Sequence, residues 1–519
     1  MKFDHHFVDY EPVTRSGRAG LWEDKADAST DETDWPFAHG GEKGRDFTPE
    51  SFEPTKVNSA RAGDLKPAAR PSSSPSKKGE SWVQKRGHAL SYFCLFLFTA
   101  ILYFRPYELI PALNGFTSMA FVCALITLGV FFPTQLSLEG NLTSRPREVN
   151  LVLLLCLCGL LSIPLAISPG EAWTTFNDAF IKAVLMFIVM INVARTERRL
   201  KGLFFLALAV SCWLSISALS DYVSGRVSVE GYRVAGRIHG MFENPNDLAL
   251  HLVTILPIAV ALFFTSRGAK KLLYLLCGAL MIAATTVTFS RGGFLGLMSV
   301  IAVLGWKIGR KHRLAVFLTL FIIMIAFIAF APGGYADRLG SILDHSRDAL
   351  GSAGARQDLL IRSIIVTAKH PLLGVGMGNF HIVSIQELVS HNAYTQVSAE
   401  MGIIAMVIYI MFIVTPFKRL KRIERETIDD GGRARFYYLS VGLQASLVGY
   451  MVGSFFASVA YLWYVYYLVG YSICLRRIYA AAAAAETEQK RLTDPATEIS
   501  RGGPEVGWSG PQELEAIGR

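Results

Sequence analysis

Apolar residues along this chain come in runs, and the runs have similar lengths. Between about residues 88 and 475, stretches of roughly 17–22 mostly apolar residues alternate with polar connections, and a helix of that length crosses the hydrocarbon core of a bilayer. The pattern predicts an all-α polytopic membrane protein of about twelve spans, at roughly 88–104, 117–132, 150–167, 179–194, 202–220, 248–264, 271–288, 293–307, 314–331, 400–416, 436–455 and 458–475. One connection, 332–399, is far longer than the rest. The remaining helices read as a frame that holds this loop and two shorter polar pieces over a substrate carried by a lipid.

The ends of the chain break the pattern. Residues 1–84 are polar, rich in Gly, Pro, Ser and charge, and show no helix or strand period, so a disordered tail is expected. No apolar run begins before about residue 88, so no signal peptide is expected at the start. The transmembrane part is then 85–478, followed by a second disordered tail over 479–519.

Charge fixes an expected orientation. Lys77, Lys78, Lys85 and Arg86 precede the first span, and every second connection after it is basic. Arg145 and Arg147, then Arg195, Arg198 and Arg199, then Lys307 and Arg310, then Lys418 to Arg422, then Arg476 and Arg477 mark the same side. By the positive-inside rule that side is cytoplasmic, with both termini inside and the long loop in the periplasm. The net charge of +9 is therefore a topology signal, and no nucleic-acid partner is expected. The chain is 51% hydrophobic and 18% charged over 519 residues, too little charge for a soluble protein of this length. All seven cysteines lie in apolar runs, which suggests neither a disulfide framework nor a zinc site.

Arginines on the outward side need their own explanation, because orientation does not require them there. Asn244-Pro245 opens a helix, with Asn as cap and Pro in the first turn. Its free N–H groups also make an anion site. Just before it, Arg233 and Arg237 stand four apart; on a helix they would share a face and grip a diphosphate, or equally bind lipid phosphates. Arg291 lies in a very short turn, Phe289 to Gly293, where a guanidinium is costly without a partner or a wet cavity. In the long loop, Leu359, Leu360, Ile364, Ile365 and Ala368 give one apolar face to an amphipathic helix over 355–369, with Arg356, Arg362 and Lys369 as its cations. Gly374, Gly376 and Gly378 then predict a flexible turn, not a dinucleotide site, since no strand precedes them. His391 stands at the mouth of the next helix, capped by Asn392 and followed by Tyr394, and is the candidate general base. Glu400 is nine residues on, so it falls on the opposite helix face and pairs elsewhere. No paired-carboxylate motif falls in an outward connection, so no metal or other cofactor is expected.

Four pieces then occur in a familiar order: Arg237-Ile-His-Gly-Met-Phe-Glu-Asn-Pro-Asn246, Phe289-Ser-Arg-Gly-Gly293, His370-Pro-Leu-Leu-Gly-Val-Gly-Met-Gly-Asn-Phe380, and His391-Asn-Ala-Tyr394 with Glu400-Met-Gly402. Over about residues 88–475 the chain resembles the O-antigen ligase/Wzy polymerase family of bacterial envelope glycosyltransferases. The resemblance implies a GT-C-like fold in the bacterial inner membrane, with an undecaprenyl-diphosphate-linked glycan as donor. A glycan or a lipid A-core hydroxyl would be the acceptor, with no metal. It places the essential residues on Arg237, Arg291 and His391. The reading of the residues themselves adds Arg233 as a candidate diphosphate contact and Arg356, Arg362, Asn392 and Tyr394 as candidate loop contacts. Inversion at the anomeric carbon would follow from attack opposite the leaving diphosphate. The competing class is a transporter or flippase of a lipid-linked polysaccharide, which twelve spans would also suit but which would place charged sites at the midplane of matching halves.

Overall fold

The computed structural model describes residues 88–310 and 352–493, apart from 114, 117, 228, 230, 239 and 240, together with 314 and 318. The N-terminal tail, most of the ninth expected span and residues 332–351 of the loop lie outside the described residues. The principal helices are α1 (Ala89–Phe104), α2 (Met119–Glu139), α3 (Arg147–Ser162), α4 (Pro169–Val193), α5 (Glu197–Val223), α6 (Pro245–Thr265), α7 (Ala269–Val287) and α8 (Arg291–Ile308). After the gap come α9 (Ser352–Lys369), α10 (Ala393–Met401), α11 (Ile403–Thr427), α12 (Ala434–Gly453) and α13 (Trp463–Thr493). Among the described residues there are no named strands, only an isolated bridge between Val229 and Arg233.

Nine helices among the described residues are long and apolar enough to cross a membrane. Two more, α3 and α13, coincide with expected spans; α3, at 16 residues, is short for a crossing. Several boundaries differ from the sequence reading, and three of them have a clear local reason. The fourth helix begins at Pro169, with its proline in the first turn, so the expected connection 168–178 is largely helical. The tenth expected span does not begin at Glu400: the chain breaks at Gly402, whose φ of 90° only glycine adopts readily, and the crossing helix α11 starts at Ile403. The last helix runs on to Thr493, past residue 478 where a tail was expected, because Ala480 to Ala485 is a run of the strongest helix former. Arg433 ties that extension back by pairing with Glu486.

Close packing of α6, α8 and α12 sets the frame. A Cβ on Gly442 would stand 2.8 Å from the Ala261 side chain and from the Pro257 carbonyl, and one on Gly449 would stand 2.6 Å from Val300. Small residues at such crossings let backbones approach, which is how helices gain contact where lipid removes the hydrophobic drive. The ends of α8 and α11 meet near the start of α12, which pairs with the start of α5, and the polar groups of the bundle gather at two ends. One carries buried ion pairs, Lys307 with Glu424 and Arg476 with Glu148 at 2.9 Å. The other carries the starts of α6, α8 and α10.

Candidate functional site

Three helices begin at this second end, and each is capped by its own sequence. Asn244 accepts from the Asn246 N–H at 2.8 Å, Ser290 from the Gly293 N–H at 3.1 Å, and Asn392 from the Tyr394 and Thr395 N–H groups at 2.9 and 3.2 Å. Two of the caps share a further detail. Phe289 before Ser290 and His391 before Asn392 both have a φ of 50°, left-handed backbone that non-glycine residues adopt at a cost on the order of 1 kcal/mol. The Phe289 ring is held edge-on by Tyr232 at 5.3 Å. The His391 N–H donates to Ser458 Oγ at 2.8 Å.

The sequence-predicted residues separate into those brought together and those tied elsewhere. Arg233 is buried; its Nε donates to the Thr288 carbonyl at 3.0 Å and its Nη2 to Asn246 Oδ1 at 2.9 Å. Asn246 Oδ1 also accepts from Ser290 Oγ at 2.8 Å, so one amide oxygen links the Arg233 segment to the turn that carries Arg291. Arg291, 9% exposed, is the first residue of α8. Beside it, a Cβ on Gly292 would meet Phe456 at 2.7 Å. Phe456 and Ser458 belong to the turn between α12 and α13, so this turn contacts both the Arg291 start and the His391 start. Tyr394 anchors to the same region, with its hydroxyl donating to the Met451 carbonyl at 2.9 Å and accepting from Ser454 at 3.3 Å. Arg356 reaches far enough to act on His391: burial first, then the Arg356 charge, lowers the imidazole to about 3, so His391 is neutral near pH 7.

Arg237 departs from the expected pairing. Residues 231–238 are not helical, so Arg233 and Arg237 share no helix face. Asp221, near the end of α5, accepts from Arg237 Nε and Nη2 at 2.9 and 2.6 Å, and from Arg226 at 2.9 Å. The hydrogen bond to Asp221 holds the Arg237 guanidinium more firmly protonated than usual. Arg362 donates to the Val383 carbonyl at 2.8 Å. Asn392 serves as the cap of α10, which accounts for its side-chain oxygen.

The glycine turn is a packed structure, not a flexible one. Its backbone is laid against the end of α10: the Val375 N–H donates to the Ala399 carbonyl at 2.9 Å and the Gly376 N–H to the Glu400 carbonyl at 3.0 Å. A Cβ on Gly374 would lie 2.3 Å from the Glu400 backbone. Buried Glu400 accepts from the Gly378 N–H at 2.9 Å and from the Tyr461 hydroxyl at 2.6 Å. Burial raises its carboxyl to about 7, partly offset by those bonds. Sequence reasoning missed Asp221, Ser458 and Tyr461. Asp221 was findable as an acid at the end of an apolar run; the other two carry no local signal.

The whole is an integral membrane protein with arginines and a neutral histidine gathered at one end of a helical frame. Comparison with known proteins places this class more closely. A family model described as O-antigen ligase matches residues 276–410, a stretch that holds both Arg291 and His391. An O-antigen polymerase of Salmonella muenchen is 25% identical over 275 residues, covering 49% of this chain and 67% of that protein. A chain from a solved structure described as "Structural coordination of polymerization and crosslinking by a peptidoglycan synthase complex" is 16% identical, with a TM-score of 0.36 over 63% of this chain and 96% of that one, and carries no argument about the fold. The first two findings support the O-antigen ligase/Wzy family, as the motifs imply, and a glycosyltransferase-like role in cell-envelope synthesis.

Proposed function

We propose that this protein transfers a glycan from undecaprenyl diphosphate to an acceptor hydroxyl at the periplasmic end of the bundle, lengthening a polysaccharide or ligating it to lipid A-core. What supports this reading above all is the line of contacts from Arg233 through Asn246 and Ser290 to Arg291, and across the 454–458 turn to His391 and Arg356. The description of the Salmonella relative favours polymerisation over ligation.

In the proposed step the neutral His391 takes the acceptor hydroxyl's proton as that oxygen bonds to the anomeric carbon. The bond from that carbon to the diphosphate oxygen breaks, and the diphosphate departs with the electron pair. Attack from the opposite face inverts the centre. Charge growing on the leaving group is met by Arg233, Arg291 and Arg356, with Arg237 at the rim, and by the positive start of α8. Guanidinium groups thus fill the place a metal would otherwise take. In this reading both termini are cytoplasmic, which the basic connections on that side support.

Membranes carrying Arg291→Ala or His391→Ala at normal protein levels should show chain-length ladders or ligated glycan reduced by about 100-fold or more. Wild-type product from both variants would remove the assignment, and activity lost to EDTA would remove its metal-free part.

A further inference from the structure

We infer that the outer face of α9, continued by the turns that follow it, is a lipid-docking surface that seats the long loop in the headgroup layer on the side of the candidate site. α9 has two faces. Leu359, Ser363 and Val366 are buried and turn inward, where Leu359 and Val366 join Val375, Phe380 and Ala399 in a small core. Thr367 Oγ1 meets Ser398 Oγ at 2.8 Å on the same side. The opposite face would ordinarily be polar. Instead Ile361, Ile364 and Ile365 stand at i, i+3 and i+4 with exposures of 48%, 55% and 41%. Leu372, Ile385 and Val389 extend the patch beyond the helix. A patch of large apolar side chains on an element outside the spans belongs against something apolar.

Continuity identifies the occupant as lipid. The Ile403 N–H donates to the Pro371 carbonyl at 2.8 Å, which sets exposed Leu372 beside the first residue of the crossing helix α11. Ile403 and Ile404 are exposed there, as lipid-facing residues of a span must be. On the other flank the Ile167 N–H donates to the Val375 carbonyl at 3.0 Å, and Leu165 and Ile167 are exposed. The apolar face of the loop therefore runs into exposed apolar residues at the start of α11 on one side and in the connection between α3 and α4 on the other. Lys369, exposed at the end of α9, suits the phosphate layer. This inference depends on the membrane embedding alone and not on glycosyl transfer. Its consequence for the site is depth: α9 carries Arg356, which acts on His391, so the bilayer itself would set the height of that arginine.

The test uses the full chain in lipid nanodiscs, with Cys158 and Cys212 replaced by alanine; the other five cysteines are buried. A nitroxide is placed at Ile364→Cys, at Ile361→Cys and, as a control on the same face but in the polar first turns of the helix, at Asp358→Cys. Collision with oxygen, which concentrates in lipid, is compared with collision with a water-soluble nickel chelate. The expected result is an oxygen-to-chelate ratio several-fold higher at both isoleucine positions than at Asp358→Cys. Chelate access equal to that at Asp358→Cys would put the face in water. Exclusion of both reagents would put it against protein. Either result overturns the inference, and neither bears on catalysis.

Discussion

His391 stays neutral to lower pH than a free histidine does. Burial and the Arg356 charge keep it neutral, with a value of about 3. A low value leaves the ring ready to accept a proton but weakens it as a base. A bound diphosphate would offset Arg356, and the imidazole would then rise. The expected outcome is an inflection at higher pH in kcat than in kcat/KM, since the first reports the complex and the second the free enzyme. Coincident inflections would show that the donor's charge does not reach the ring. Glu400 gives a prediction about stability instead. Its folded value of about 7 lies above its ordinary 4.5, so the folded state binds the proton more tightly. Stabilisation from this group is full below about pH 4.5 and is lost as pH rises towards 7, with a slope of at most about 1.4 kcal/mol per pH unit. Glu400→Gln, which cannot titrate, should flatten the fall in Tm of purified protein across that window; an unchanged slope would place the pH dependence elsewhere.

At the scale of elements, the fold-back at Gly402 is the joint on which the site turns. A Cβ there would lie 2.1 Å from the Leu372 carbonyl, on backbone with a φ of 90°. Gly402→Ala should therefore cost about 3 kcal/mol or more. Gly354→Ala, in α9 with nothing near its Cβ, should be neutral or stabilising by up to about 1 kcal/mol. Chemical or thermal unfolding of the two variants measures the contrast. The sequence made the helix starts at Asn244 and Asn392 readable, because a cap is a local matter of one side chain and the next few N–H groups; Ser290 and Arg291, expected in a turn, are a cap and the first helical residue. It did not show which face of α9 turns inward. Leu359, Leu360, Ile364, Ile365 and Ala368 were read as one apolar face, but Leu359 points in while Ile364, Ile365 and Ala368 point out. A helix with apolar residues on both sides has no single stripe, and periodicity cannot choose between protein and lipid. The partners of Arg233 and Arg237 were equally hidden. Thr288 and Asp221 lie 55 and 16 residues away in sequence, and only the packing of α5, α6 and α7 brings them near.

For the whole molecule, the polar groups divide between two ends. The end with Arg233, Arg291 and His391 carries capped helix starts and arginines beyond what topology needs. The opposite end carries ion pairs and a helix, α11, that continues past its apolar part into Lys418, Lys421, Arg422 and Arg425, all on one face. These four line an open surface pocket together with Glu426, whose Oε2 is already held by the Tyr479 hydroxyl. A protein inserted by the positive-inside rule should put that basic end in the cytoplasm. The site then faces outward, where a lipid-linked glycan would be met after it has crossed the bilayer. Single cysteines at Asp358 and at Lys421, both exposed, report the two ends directly. In intact cells whose outer membrane has been made permeable, a membrane-impermeant maleimide should label Asp358→Cys and spare Lys421→Cys until the inner membrane is opened. The reverse pattern would turn the molecule over, and His391 with its arginines would then face a compartment where the proposed acceptor is not presented.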